Sequence, residues 1–230
     1  DRRFLAEEMA EAIASAVRGC ELEPILSDMA LPTPSCSWGV VEHQALGALV
    51  ITASHNPPEW LGLKIKGPLG SSVDEDFTKD VEKRLSAGGI SVPVDGITEK
   101  RNLRKEHLLG LSKKFDIPAI IQGLQNMGLK VIVDPMHGSA AGCLGEILGD
   151  DLQELFKEIR TNRDFSFGGH PPEPLAQNLS NLIEIVKNNY QSGEKTIGLV
   201  FDGDGDRIAA IDEQGRYCNT QLLIPLLIDH

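Results

Sequence analysis

Two polar loops in this sequence carry side chains that could do chemistry, and each directly follows an apolar run. The first loop, Thr52 to Pro57, contains a single serine, Ser54, and follows the run Leu46 to Ile51. The second loop, Asp202-Gly203-Asp204-Gly205-Asp206-Arg207, follows the run Ile197 to Phe201. Short apolar runs are typical of buried strands, and sites on open α/β sheets lie beyond the carboxyl ends of strands. Together the loops suggest a nucleophilic or phosphate-carrying serine and a divalent cation that neutralises the phosphate.

The second loop places three carboxylates at alternate positions with glycine between them. Glycine lets the backbone fold tightly, so the carboxylates can converge on one hard cation, and without a cation they repel one another. An EF-hand calcium loop is the alternative, because Asp202 and Glu213 fit its first and last ligand positions. Arg207, however, stands where the EF-hand turn needs glycine, and a strand-like run replaces the EF-hand helix. The pattern therefore favours a different kind of metal loop.

The two loops, in this order and each after a predicted strand, resemble those of the α-D-phosphohexomutases. This family comprises the phosphoglucomutases, phosphomannomutases and phosphoglucosamine mutases. Further matching stretches are residues 133–138, 172–174 and 200–215, and the resemblance extends over essentially the whole chain. It implies an isomerase that moves phosphate between C1 and C6 of a hexose through a phosphoserine and a bisphosphate intermediate. It also implies one Mg²⁺ per site and an activator of the glucose 1,6-bisphosphate type.

The resemblance assigns a role to each polar residue of the two loops. Ser54 would carry the transferred phosphoryl group and contribute a phosphate oxygen to the Mg²⁺. Arg207 would lie beside the phosphoserine, where its planar guanidinium suits phosphate oxygens. The remaining metal ligands would be the three carboxylates of the second loop, Asp202, Asp204 and Asp206.

Histidines and one lysine complete the set of candidates. Lys64 matches a family lysine that acts as acid or base near the reacting hydroxyl, although Leu61 stands where the family usually has asparagine. His55 is either a second proton-handling or phosphate-contacting group or a structural histidine. His137 and His170 are interpreted as structural. His137 lies in a matching family stretch to which we assign no chemistry, and His170 stands among glycines and prolines that shape a loop.

Three functional alternatives stay open at this point. The chain could be a phosphoglucosamine mutase rather than a phosphoglucomutase or phosphomannomutase. It could be a non-catalytic two-domain module that binds metal and phosphate. It could also be a phosphatase or other hydrolase, although Ser54 lacks the glycines of the G-x-S-x-G nucleophile elbow.

Composition narrows the class of partner. The formal net charge of −12 argues against nucleic acid or an anionic membrane surface as a partner. No apolar run approaches the length of a membrane span, and four widely spaced cysteines indicate free thiols in a reducing, cytoplasmic compartment. The expected partner is a hexose phosphate, together with the C-terminal domains of the same chain that the family resemblance implies.

The pattern of elements predicts an α/β fold with two three-layer α/β/α domains and mixed, mostly parallel sheets. Domain I is expected to span residues 1–100 and to begin inside the family's first domain. Domain II is expected to span residues 101–230, with a linker at 88–102 between the two. Predicted strands cover 46–51, 61–66, 129–134, 196–201 and 208–212, and predicted helices include 4–18, 74–87, 176–190 and an interrupted helix over 104–126.

Overall fold

The computed structural model describes residues 1–88, 92–149, 152 and 154–229, and these residues form two compact α/β units. Unit 1 contains residues 1, 3–52 and 61–107, and unit 2 contains residues 2, 53–60 and 108–230. The serine-bearing loop therefore clusters with the second unit, although it follows a strand of the first along the chain. The domain boundary after residue 100 stays a prediction.

Unit 1 contains two separate two-stranded sheets among the residues that the structure describes. The first pairs β1 with β4 in parallel, and the second pairs β2 with β3 in antiparallel fashion. The bounds of its elements are α1 (Ala6–Gly19), β1 (Ile25–Ser27), α2 (Thr33–Glu42), β2 (Ala48–Ile51), β3 (Leu63–Lys66), α3 (Glu75–Ser86), β4 (Glu99–Arg101) and α4 (Leu103–Ser112), the last of which runs on into unit 2.

Unit 2 is built on one five-stranded sheet with the order β6-β5-β7-β8-β9. Strands β6, β5 and β7 run parallel, and β8 and β9 continue the sheet in antiparallel fashion. The bounds are α5 (Ile117–Met127), β5 (Leu129–Asp134), α6 (Cys143–Leu148), β6 (Phe156–Glu158), α7 (Ser180–Gln191), β7 (Lys195–Phe201), β8 (Ile208–Ile211), β9 (Tyr217–Cys218) and α8 (Thr220–Asp229).

Helix ends in both units follow from local sequence. Asp74 caps α3, because its carboxylate accepts a hydrogen bond of 2.8 Å from the backbone N–H of Phe77. Asp116 caps α5 in the same way, through the N–H of Ala119 at 3.0 Å. Gly128 ends α5 in the left-handed conformation that glycine adopts at low cost, and the chain turns there directly into β5.

The core of unit 2 lies between α7 and the strands β5, β7 and β8. The residues that form it are fully or almost fully buried and mostly aliphatic: Ile132, Met136, Leu179, Leu182, Val186, Val200 and Ile211. Because β5 and β7 are adjacent and parallel, their carboxyl ends meet at the same edge of the sheet. The loops that follow these two strands are thereby held next to each other.

The α/β class with mixed sheets is confirmed, and the predicted strands 46–51, 61–66, 129–134, 196–201 and 208–212 are all present with small shifts at their ends. The predicted linker at 88–102 was wrong in part, because Glu99–Arg101 forms β4 within unit 1. Residues 89–91 of that linker lie outside the described residues.

Neither a disulfide nor a membrane span is found in the part of the chain that the structure describes. The four cysteines form no disulfide bond there, as the sequence predicts. None of the described helices is both long enough and apolar enough to cross a bilayer.

Candidate active site

Ser54 occupies a tight, buried turn of unit 2. Its backbone has φ 53°, in the left-handed region that non-glycine residues adopt at a cost of about 1–2 kcal/mol. The N–H of Asn56 donates to the carbonyl oxygen of Ala53 at 3.0 Å, which closes the turn around the serine. Strain of this kind persists only where neighbouring contacts fix the backbone, and the contacts at Ser54 come from the aspartate loop.

The hydroxyl of Ser54 donates a hydrogen bond to Asp202, with 3.0 Å between Oγ and Oδ2. The other carboxylate oxygen of Asp202 accepts from the backbone N–H groups of Asp206 and Arg207, at 3.0 and 3.1 Å. Asp202 therefore folds its own loop into a tight turn and also contacts the serine. The two motifs singled out from the sequence meet in one place.

The three aspartates of the second loop converge. One ligand oxygen from each of Asp202, Asp204 and Asp206 lies within 4.8 Å of the others, and the first two side chains are buried while the third is exposed. Burial, and next the negative charges of Asp204 and Asp206, raise the pKa of Asp202 to about 7. A hard divalent cation bound to these oxygens would remove the repulsion, so the donor set fits Mg²⁺ or Ca²⁺.

Gly203 of the aspartate loop contacts three other segments: the serine loop, the segment at Pro172 and the loop after β5. A Cβ atom on this residue would lie 2.6 Å from the carbonyl oxygen of Ser54 and 2.8 Å from Cγ of Pro172. Its carbonyl oxygen accepts from the N–H and the hydroxyl of Ser139, at 2.9 and 3.2 Å, and a Cβ on Gly138 would lie 2.6 Å from that same oxygen. Only glycine fits such close backbone contacts, so Gly203 fixes the aspartate loop against its neighbours.

A proline-rich segment, Pro172 to Pro174, braces the serine loop and the aspartate loop. The carbonyl oxygen of Pro172 accepts from the N–H of Gly203 at 3.1 Å, and the hydroxyl of Tyr217 donates to the carbonyl oxygen of Pro174 at 2.6 Å. Between them, Oε1 of Glu173 lies 3.8 Å from Nε2 of His55. This segment therefore touches both loops that carry the candidate chemistry.

The candidate histidines and the arginine of unit 2 differ in burial and in hydrogen bonding. Nδ1 of His55 is buried and has no hydrogen-bond partner among the described residues. Arg207 is exposed, and its backbone N–H helps hold Asp202. His137 is buried, with Nδ1 3.0 Å from the carbonyl oxygen of Asn162, whereas His170 is exposed.

Lys64 lies in β3 of unit 1, directly opposite Val50 of β2. Residues paired across an antiparallel ladder project to the same face, so Lys64 shares a face with Val50. Its role toward the reacting hydroxyl stays a prediction.

Sequence reasoning missed the contribution of the loop after β5. Asp134, fully buried, accepts two hydrogen bonds from Nε of Arg160 at 2.8 and 3.0 Å and one from the N–H of Met136 at 3.0 Å. This pair shapes the turn that brings Ser139 to Gly203. Asp134 is an acidic residue at the end of the apolar strand β5, and this feature of the sequence could have identified the loop as part of the site.

Comparison with known proteins identifies the class to which this fold and site belong. Residues 1–89 match the family model described as "Phosphoglucomutase/phosphomannomutase, alpha/beta/alpha domain I", and residues 105–215 match the model of domain II. These two ranges make up most of the chain. The chain belongs to the phosphoglucomutase/phosphomannomutase family, as the sequence motifs predict.

Individual relatives agree with this assignment. A phosphoglucomutase/phosphomannomutase of Thermococcus kodakarensis is 28% identical over 234 residues, which cover 100% of this chain and 49% of the relative. A phosphoglucosamine mutase of Methanocaldococcus jannaschii is 30% identical, covering 84% of this chain and 42% of the relative. The chain thus spans about half the length of the curated relatives it matches.

A solved structure supports the same fold. A protein assigned as a phosphomannomutase from Thermus thermophilus superposes with a TM-score of 0.78 at 28% identity, over 94% of this chain and 48% of that chain. The open form of parafusin, a phosphoglucomutase from Paramecium, has a TM-score of 0.73 at 22% identity, over 93% of this chain and 45% of that chain. The second likeness shows the fold alone.

Proposed function

We propose that this chain carries the phosphoryl-donor half of a phosphohexomutase that moves phosphate between C1 and C6 of a hexose. The observation that supports this most strongly is the 3.0 Å hydrogen bond from the hydroxyl of Ser54 to Asp202, one of three converging carboxylates. A serine beside a hard-cation site is the arrangement that phosphoryl transfer requires, because catalysis of this reaction is mainly positioning and charge stabilisation.

In the proposed reaction, the phosphoryl group on Ser54 passes to a free hydroxyl of a hexose monophosphate. The bond between phosphorus and Oγ breaks as the bond to the sugar oxygen forms, Lys64 takes the proton of that hydroxyl, and the departing Oγ of Ser54 takes a proton from solvent. Arg207 contacts the phosphate oxygens as they shift. The bisphosphate then returns its other phosphate to Ser54, which restores the enzyme. In the second transfer, Ser54 releases that proton and Lys64 returns its proton to the sugar oxygen.

Asp202, Asp204 and Asp206 would hold a Mg²⁺ ion. When bound, this cation would supply positive charge that offsets the charge on the transferring group. Asp202 also holds the Ser54 hydroxyl in place through their hydrogen bond. The substrate is a hexose phosphate, and glucosamine phosphate is the alternative because phosphoglucosamine mutases are among the relatives.

The role of Ser54 is tested by phosphoryl labelling. Incubation with glucose 1,6-bisphosphate and Mg²⁺ is expected to add one phosphoryl group to the peptide that contains Ser54, found by mass spectrometry. Ser54→Ala should stay unlabelled. Ser139→Ala is the matched control, because this serine is buried in the same cluster and bonds to Gly203 but is not the proposed acceptor. Label on any other residue of the unmodified chain would refute the assignment.

The metal site is tested by calorimetry in parallel. Mg²⁺ should bind the unmodified chain and lose at least tenfold in affinity in Asp204→Asn. Asp212→Asn is the control, since Asp212 also accepts backbone N–H groups in a tight turn of the same sheet, from Gln214 and Arg216. Equal affinity in all three proteins would remove the aspartate loop as the metal site.

A further inference from the structure

The proline-rich segment Pro172 to Pro174 is held in place through its backbone. Proline fixes φ at both positions that flank Glu173, and both prolines are buried. The carbonyl oxygen of Glu173 accepts from the N–H of Leu175 at 2.8 Å and from Nδ2 of Asn178 at 2.9 Å. The backbone of Glu173 is therefore fixed, and its carboxylate extends from a firm support.

The carboxylate of Glu173 lies beside the ring of His55 in the serine loop. Oε1 is 3.8 Å from Nε2, within ion-pair range but beyond hydrogen-bond range, and the two side chains are 30% and 28% exposed. The other ring nitrogen, Nδ1, is buried and has no hydrogen-bond partner in the part of the chain that the structure describes. Among those residues, Glu173 thus provides the polar contact that orients this ring.

The serine loop is also held through the hydroxyl of Ser54, but only while that oxygen carries a proton. The hydroxyl donates to Oδ2 of Asp202 at 3.0 Å. A phosphate ester oxygen has no proton to donate, so this hydrogen bond is lost when Ser54 is phosphorylated. Because the left-handed backbone at Ser54 persists only where its neighbours fix it, the phosphorylated loop must be held by contacts that do not use the hydroxyl.

The contact between His55 and Glu173 is of that kind. It begins at the residue next to the serine and involves neither the hydroxyl nor a phosphoryl group. Its carboxylate belongs to a segment that also binds the aspartate loop, through the N–H of Gly203 on the carbonyl oxygen of Pro172 at 3.1 Å. The contact therefore links the serine loop to the support of the aspartate loop independently of the chemical state of Ser54.

We propose that Glu173 is a positioning residue, which holds the serine loop through His55 whether or not Ser54 is phosphorylated. The use of this contact rests on the proposed function, because the serine would alternate between hydroxyl and phosphate ester in each reaction cycle. While Ser54 carries the phosphoryl group, Glu173 keeps that group beside the aspartate loop. It does so by acting through His55.

The test follows amide hydrogen exchange at Asn56, whose N–H closes the serine turn on Ala53. Exchange is expressed relative to an unstructured peptide of the same sequence, which corrects for the substitutions themselves. In EDTA, Glu173→Gln should speed exchange at Asn56 about three- to fivefold, near the upper end for a partly exposed ion pair. Exchange at Gly203 and in β5 and β7 should stay unchanged, because the backbone hydrogen bonds of the proline-rich segment remain.

Two further variants separate this contact from general effects of charge. Glu59→Gln removes an equal charge from an exposed position of the serine loop and should leave exchange at Asn56 unchanged. His55→Gln should speed it as much as Glu173→Gln does, and the double variant should show no further increase, because the two side chains form one contact.

Three outcomes of these measurements would overturn the proposal. One is a double variant whose effect is the product of the two single effects. Another is an equal effect of Glu59→Gln. The third is loss of protection in β5 and β7 on Glu173→Gln, which would mark Glu173 as a residue of general stability.

The same measurement is repeated on Ser54→Ala and on a chain that carries phosphoserine at position 54, introduced during translation. Neither chain has a hydroxyl to donate to Asp202, and Glu173→Gln should still speed exchange at Asn56 about three- to fivefold in both. An effect that disappears in these two chains would refute the role of Glu173. Because this phosphoserine is not installed by the chain's own chemistry, failure of the proposed function is seen separately, as missing label in the experiment with glucose 1,6-bisphosphate.

Discussion

Replacing Asp202 by asparagine is expected to stabilise the metal-free chain at pH 8. The asparagine side chain has nearly the same shape, and its carbonyl oxygen can still accept from the N–H groups of Asp206 and Arg207. It removes a negative charge that is buried beside Asp204 and Asp206. The gain should depend on pH, because it comes from the charge alone.

The size and sign of the effect follow from the pKa of Asp202, which burial and its acidic neighbours raise from 3.8 to about 7. Between these two values the folded chain retains a proton that the unfolded chain has released, so stability falls as the pH rises from about 4 to about 7. The difference corresponds to a ceiling of about 4 kcal/mol above pH 7, and to about half of that at pH 5.5. Asp202→Asn escapes this loss.

The assay is thermal unfolding in EDTA at pH 5.5 and pH 8, both above the sequence pI of 4.9. At pH 8 the variant should melt higher than the unmodified chain by up to about 8–16 °C, and at pH 5.5 by about half as much. Mg²⁺ at about 100 times its dissociation constant should stabilise the unmodified chain by about 2.7 kcal/mol and leave the variant unchanged.

Asp212→Asn is the control of opposite sign. Burial alone would raise the pKa of Asp212. Hydrogen bonds from the backbone N–H and the guanidinium of Arg216 have the larger combined effect, so the pKa is lowered. Asparagine at that position should therefore destabilise the chain at pH 8. If Asp202→Asn melts at or below the temperature of the unmodified chain in EDTA at pH 8, the reasoning about buried charge repulsion is refuted.

Three further predictions are checked by the same unfolding assay at pH 8 in EDTA. Gly203→Ala should cost about 1–3 kcal/mol, because its Cβ would lie 2.6 Å from the carbonyl oxygen of Ser54; an unchanged melting temperature would contradict the close contact. Asp134→Ala should cost about 3–5 kcal/mol, since it leaves Arg160 without its buried carboxylate, and a cost under about 1 kcal/mol would count against that pair. Tyr217→Phe should cost about 1 kcal/mol through loss of its hydrogen bond to the proline-rich segment, and no loss would mean that water replaces this contact.

Local sequence signals were enough to place the strands that deliver the two loops. The six-residue strand β5 was predicted with its observed bounds, because its apolar run ends at Asp134 and Pro135 follows. Strand β4 was not predicted, since Glu99-Lys100-Arg101 carries no apolar residue and its pairing with β1 depends on tertiary structure. Strand β9 has only two residues, too few to give a periodic signal.

The candidate chemical residues could be picked out from the sequence, but the residues that hold them in place could not. Ser54 and the three aspartates were singled out because both loops follow predicted strands and together resemble the loops of one family. Gly138 and Ser139 contact Gly203 because β5 and β7 are neighbours in the sheet. The order of strands in a sheet cannot be predicted from local sequence patterns. The contact of Glu173 with His55 likewise joins residues that are far apart along the chain.

The hydrogen bond between Ser54 and Asp202 also has a consequence for how the chain is made. The two residues are 148 positions apart, and ribosomes add about 5–20 residues per second. Ser54 is therefore added to the growing chain about 7–30 s before Asp202. During that interval nothing from the aspartate loop can hold the serine turn in its left-handed conformation, because Asp202 does not yet exist. The hydrogen bond between the Ser54 hydroxyl and Asp202 can therefore form only after residue 202 has been added to the chain.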